Sequence, residues 1–199
     1  MEQIVEDANF LTAVKKVNSE PNKAAGCDRK TVREVCTHLI EDAKARDEIR
    51  EKILSGHYRP APIRTVKIPK KNGKLRTLGI ATVRDRIVQT MILLAVTENL
   101  PVGSWSEFSF AYLPQRGVAD AIAEVNKIRA EGYTVGIKLD LKAFFDNVPH
   151  DRLIAKLRKH IVDGRVVRLI TAFLSPTVHF SQFSQSSFAF LFFYGFDFS

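Results

Sequence analysis

The chain has 199 residues, 45% of them apolar and 26% charged. It is therefore long enough to bury a core, and neither disorder nor a collagen-like repeat describes it as a whole. Its net charge of +8 and pI near 9.6 favour a polyanionic partner, nucleic acid ahead of an anionic membrane surface. Two cysteines, Cys27 and Cys36, are read as too few for a disulfide scaffold or a four-ligand zinc site. The acidic N-terminal run is followed by no apolar stretch of the kind a secretory signal needs, so a cytoplasmic chain with reduced thiols and no membrane partner is expected.

In chain order, residues 9–17 read as a short helix with Phe10, Leu11, Val14 and Val17 on one face. Residues 18–30, rich in Asn, Ser, Pro, Gly and Asp, are a loop. A helix starts near Thr31, carries Val32, Val35, Cys36, Leu39 and Ile40 inward, and continues or restarts through Ile49, Ile53 and Leu54 to Gly56. Two alternating runs, 63–68 and 74–80, flank Pro69-Lys70-Lys71-Asn72-Gly73, a hairpin signal. Residues 84–100 form a strongly apolar helix closed by Pro101. The next helix, 117–130, is expected to turn Val118, Ala121, Ile122, Val125 and Ile128 inward and to end at Gly132.

Residues 134–141 alternate strictly, predicting a strand with Val135, Ile137, Leu139 and Leu141 buried and Asp140 on the opposite face. Helices over about 151–162 and 165–174 follow. There is no internal repeat, and the class is α+β with helices outnumbering strands.

Two segments carry chemistry. Between Arg59 and Ile80 lie Arg59, Arg64, Lys67, Lys70, Lys71, Lys74 and Arg76 with no acid among them. Such a hairpin is either a solvated charged face or a surface that contacts phosphates. The second segment is Asp140 at the end of its strand, followed by Phe144, Phe145 and Asp146. A carboxylate there suits a hard cation such as Mg²⁺, and it equally suits capping of the following turn.

Residues 136–153, containing Lys138-Leu139-Asp140-Leu141 and Phe144-Phe145-Asp146-Asn147, resemble the first catalytic motif of reverse transcriptases of the group II intron and bacterial retroelement type. Other segments resemble the same family in the expected order. They are Asn22-Lys23-Ala24-Ala25-Gly26-Cys27-Asp28, then Tyr58-Arg59-Pro60 with Ile68-Pro69-Lys70 and Leu75-Arg76-Thr77, then Asp85-Arg86-Ile87-Val88-Gln89, then Phe110-Ala111-Tyr112-Leu113-Pro114 with Arg116.

The resemblance covers about residues 9–174. It implies a helical N-terminal extension (1–57), fingers (58–132) and the start of a right-hand polymerase palm (133–174). It implies Asp140 as a metal-binding catalytic aspartate, helped by the Leu141 carbonyl, with Mg²⁺ as cofactor. Lys70 and Arg76 would meet the triphosphate of a dNTP. Phe145, with Phe144 as the competing choice, would exclude a ribose 2′-hydroxyl. Arg59, Arg64, Lys67, Lys71, Lys74 and Arg116 would contact nucleic acid, whether RNA template, intron RNA or DNA primer.

The sequence departs from the family pattern in places. Leu113 stands where an arginine is common, and Lys138 where an acid is frequent. The Pro-Gln-Gly and Tyr-x-Asp-Asp motifs that supply the remaining carboxylates do not occur, and Tyr194-Gly195-Phe196-Asp197 imitates only the first element of the latter. Eight of fourteen phenylalanines fall between Phe180 and Phe198, in a Phe/Ser/Gln segment from residue 175 on. That segment reads as an atypical, marginally ordered tail of the kind a frameshift produces.

The expectation is thus a truncated reverse transcriptase that binds nucleic acid better than it polymerises. The alternatives are a non-catalytic RNA-binding module or one part of a split intron maturase, and, more generically, a basic DNA-binding domain.

Overall fold

Helix α1 (Glu2–Val5) and helix α2 (Asp7–Asn18) open the chain, α2 burying Phe10, Ala13 and Val14 at the three- and four-residue spacing of one helix face. The computed structural model describes residues 1–69, 73, 75–98, 106–111, 113, 116–141 and 144–174, without the side chains of Phe145 and Asp146. Lys70, Lys71, Lys74, Tyr112, Pro114 and the tail from Ser175 onward lie outside the described residues.

The run after Thr31, expected to continue or restart, restarts: it is two helices. Thr31 starts α3 (Val32–Glu41) with a reciprocal capping box: its hydroxyl accepts from the Glu34 N–H, and the Glu34 carboxylate accepts from the Thr31 N–H at 2.7 Å. Asp42 leaves helical geometry at φ −105°, ψ 98°. Its carboxylate accepts from the Ala45 N–H at 3.1 Å, which starts α4 (Ala43–Leu54). Past α4, Gly56 takes φ +74°, a left-handed turn that glycine adopts without steric cost.

Strands β1 (Arg64–Pro69) and β2 (Leu75–Ile80) form an antiparallel hairpin with Arg64 opposite Ile80 and Ile68 opposite Arg76. Helix α5 (Val83–Glu98) is the centre of the molecule. Its Val83, Ile87, Val88, Met91 and Ile92 have no exposed surface, and α1, α2 and α3 pack against it. Helix α6 (Val118–Ala130), a 3₁₀ turn (Phe144–Asn147), α7 (His150–His160) and α8 (Gly164–Leu174) complete the order.

One apolar cluster runs from Ile4 to Leu174, joining α1–α5 to Leu153 and Leu157 of α7 and to Ile170 and Phe173 of α8. Each fully buried side chain of this size contributes about 1.5–3 kcal/mol relative to an exposed one, so the cluster is what holds the chain together. The class is α+β, helical with one small antiparallel sheet. Among the described residues, no helix is long and apolar enough to cross a membrane.

Two sequence expectations differ from the structure. Helix α6 forms, yet none of its residues is buried, and Val118 is 77% exposed. Residues 134–141 make no strand, and Val135, Ile137, Leu139 and Leu141 are all exposed. Alternation tells which face of a strand is covered when sheet neighbours exist, and a lone segment has no ladder to hold it. Among the described residues, the only sheet is the β1–β2 pair, which does not reach this segment.

Candidate nucleic-acid interface

The base of the hairpin is fixed by buried polar chemistry. Asp85, 1% exposed, accepts from the Tyr58 hydroxyl at 2.7 Å, the Ala61 N–H at 3.0 Å and the Thr82 hydroxyl at 2.6 Å. Thr82 in turn accepts from the Asp85 N–H, closing the first turn of α5. Every oxygen of this carboxyl is therefore satisfied, as a buried polar group requires.

Tyr58 ties the segment to both sides. Its ring lies 5.9 Å from that of Phe173 in α8, and the Arg84 guanidinium sits 5.7 Å from its centroid. Burial, reinforced by the charge of Asp85 and its hydrogen bond, pushes the Tyr58 phenol well above its usual pKa, so the group remains a donor.

A second lock joins the loop around residue 26 to the hairpin. Arg64 donates from Nε and from a terminal nitrogen to the Ala25 carbonyl at 2.9 and 2.6 Å. Arg86 donates to the Ala24 carbonyl at 2.9 Å, and burial lowers its pKa. Gly26 lies so close to the next segment that an added Cβ would stand 2.6 Å from the Thr82 Cα.

Above this base the hairpin rises into solvent. Residues 64–66 are half-buried, whereas Lys67, Ile68, Pro69, Leu75 and Arg76 are exposed. The register sets Lys67 opposite Thr77 on one face, and Arg76 opposite Ile68 on the other. The two cations thus project to opposite sides of a two-stranded ribbon, and a polyanion touching both must wrap it.

Several arginines expected at phosphates are occupied in the fold. Arg59 donates to the Gly56 and Tyr58 carbonyls at 2.8 and 2.9 Å. Arg116 donates to the carbonyls of Ser106, Glu107 and Ser109, gathering that loop. Lys70, Lys71 and Lys74 fall outside the described residues, as does the Phe145 side chain. Phe144 is half-buried and packs against the core cluster.

Asp140 and Leu141 are exposed at the end of the unpaired 134–141 segment. Two-metal phosphoryl transfer needs carboxylates from more than one segment to bridge the ions. Among the described residues, no group of three His, Cys, Asp or Glu side chains could hold a metal. Asp140 with a neighbouring carbonyl is a partial donor set and does not by itself fit such a centre.

Sequence reasoning missed the Asp85 network and the Gly26 contact. The only available signal was the Thr82-x-x-Asp85 spacing, which is a capping pattern.

The reverse transcriptase (RNA-dependent DNA polymerase) family model matches residues 68–194. The match continues past Leu174, where the motif-by-motif resemblance stops, so most of the segment set apart as an atypical tail lies inside the matched span. Protein YkfC of Escherichia coli (strain K12) is 42% identical over 126 residues, 61% of this chain and 33% of its own length. An uncharacterized 91 kDa protein in the cob intron of Schizosaccharomyces pombe is 32% identical over 162 residues, 81% of this chain and 19% of its own. The group II intron-encoded protein LtrA of Lactococcus lactis subsp. cremoris is 30% identical over 128 residues, 64% of this chain and 21% of its own. The chain spans a third or less of the length of these relatives.

Proposed function

The chain belongs to the reverse transcriptase (RNA-dependent DNA polymerase) family, and from that premise we propose that it is the fingers and first palm segment of a group II intron-type enzyme, which binds RNA and does not polymerise alone. In this reading residues 1–57 are the helical extension, 58–132 the fingers and 133–174 the start of the palm. The parent reaction is templated addition of dNTPs to a primer 3′-hydroxyl on RNA. Lys70 and Arg76 neutralise the incoming triphosphate, Phe145 polices the ribose, and Asp140 with the Leu141 carbonyl contributes one part of an Mg²⁺ site completed by carboxylates from elsewhere. Lys67, Lys71 and Lys74 contact the nucleic-acid backbone. Arg59, Arg64 and Arg116 support these contacts from carbonyl-anchored positions.

The observation that carries RNA binding is the solvent-facing ribbon with Lys67 and Arg76, set on a base locked by Asp85. A rigid support lets cations meet phosphates without being ordered at the moment of binding. The second reading, one part of a split maturase, is favoured by the uncovered apolar residues of α6 and 134–141.

The test is fluorescence anisotropy of a labelled single-stranded RNA titrated with the 199-residue chain at several salt concentrations. Lys67→Glu with Arg76→Glu should weaken binding and lower the slope of log affinity against log salt by about 1.4, since each neutralised phosphate of a single strand contributes about 0.7. An unchanged slope would assign the hairpin to a merely solvated surface.

A further inference from the structure

Tyr58 also lines a groove of about 810 Å³ between the C-terminal end of α4 and the α7–α8 pair. Four arginines line it, Arg59, Arg158, Arg165 and Arg168, and among the described residues no Asp or Glu does. Arg165 is neutralised by Glu2 and Asp163, the latter at 2.8 Å. Among the described residues, no carboxylate forms an ion pair with Arg59, Arg158 or Arg168. Among the described residues, the positive charge of these three arginines is therefore not matched by a carboxylate at the groove.

Its accessible apolar surface is equally specific. Val162 is fully exposed and Leu54 is 41% exposed, both at the groove. Guanidinium groups beside solvent-exposed apolar side chains fit a ligand that alternates anionic groups with flat apolar faces. Single-stranded nucleic acid has that character, because its phosphates can meet arginines while unstacked bases lie on apolar surface. A duplex hides its base faces and would leave Val162 and Leu54 uncovered. Arg59 also connects the groove to the hairpin in sequence, five residues ahead of β1.

We infer that this arginine-rimmed groove is a second binding site for single-stranded RNA, separate from the basic hairpin. The inference rests on the reading of the chain as an RNA binder, and it extends the footprint from the β1–β2 ribbon to the α4/α7–α8 side. Guanidinium is suited to this task, since its planar fork pairs two N–H groups with phosphate oxygens. Arg158 and Arg168 are exposed helix positions, so their substitution leaves the core packing intact.

The experiment uses the 199-residue chain and a fluorescein-labelled 20-nucleotide oligouridine, with the salt dependence of affinity as readout. Three charge-reversal pairs are compared: Arg158→Glu with Arg168→Glu in the groove, Lys67→Glu with Arg76→Glu in the hairpin, and Lys15→Glu with Lys16→Glu on the exposed end of α2. A photoreactive side chain at Val162 gives a second readout.

The groove pair should weaken binding at least about fivefold and lower the salt slope by about 1.4. The α2 pair should leave the slope unchanged, and Val162 should crosslink to the RNA. A groove pair that binds like the parent chain while the hairpin pair is impaired overturns the inference, leaves RNA binding in place and assigns the groove to a protein segment. Equal losses from the groove and α2 pairs also overturn it, because the effect would then be net charge. If neither groove nor hairpin reversal matters, the inference and the RNA-binding reading fall together.

Discussion

Replacing Asp85 with alanine removes the one acceptor shared by the Tyr58 hydroxyl, the Ala61 N–H and the Thr82 hydroxyl. Each buried donor left without a partner costs about 1–3 kcal/mol. Two effects offset this. The variant no longer removes a carboxyl from water, and the vacated space lies among polar groups that can hold a water. The net loss for Asp85→Ala should be about 3 kcal/mol, a large part of the roughly 5–15 kcal/mol typical of a domain. Tyr58→Phe deletes one donor and leaves the carboxyl with two, so its loss should be about 1.5 kcal/mol. The two changes should be non-additive by at least about 0.5 kcal/mol, because they share a bond. Urea unfolding followed by far-ultraviolet circular dichroism measures all three variants. A loss below about 1 kcal/mol for Asp85→Ala, or strict additivity with Tyr58→Phe, would refute the claim that this network holds the hairpin base.

Gly26→Ala should destabilise the chain by about 2 kcal/mol, since the new methyl meets backbone atoms of Ala81 and Thr82 that cannot rotate away; thermal unfolding reads this, and an unchanged midpoint contradicts the close approach. Arg165 holds the Glu2 carboxyl down to about 2 and also lowers that of Asp163. Depressed carboxyl pKa values add stability above the ordinary carboxylate range that is lost as pH falls from about 4.5 towards 2. The gap in urea midpoint between the parent chain and Arg165→Ala should therefore be present at pH 7, shrink as the pH falls, and be reduced by salt because Glu2 is exposed. A gap independent of pH would remove these pairs from the account.

The longer helices other than α6 were legible because their apolar residues recur at helical spacing on a buried face, as in Phe10–Ala13–Val14 of α2 and Val166–Ile170–Phe173 of α8. The hairpin was legible from its alternation and from Asn72-Gly73. A restart between α3 and α4 was left open, and its place at Asp42 was hidden, since an aspartate on the polar face of a periodic run looks the same as a cap until backbone geometry is known. The patterns in α6 and 134–141 describe surfaces that a sheet or helix partner would cover, and the described residues supply none.

The candidate site was legible in composition but not in the use of each cation. Arg59, Arg64 and Arg116 have the same charge whether they bind phosphates or brace carbonyls, and only the structure shows them bracing. Asp85 was missed because aspartate is almost never fully buried unless its oxygens are satisfied, and the three donors come from separate segments.

The central proposal is that this chain offers nucleic-acid contacts and, in Asp140, one metal-binding carboxylate, and the most direct measurement is primer extension by the 199-residue chain. A labelled DNA primer annealed to an RNA template is incubated with the chain, dNTPs and Mg²⁺ at protein concentrations where the template is bound. Because Asp140 is one carboxylate where bridging two ions needs more, the account predicts no extension above the level of an Asp140→Ala variant. Processive incorporation by the parent chain that disappears on Asp140→Ala would contradict it.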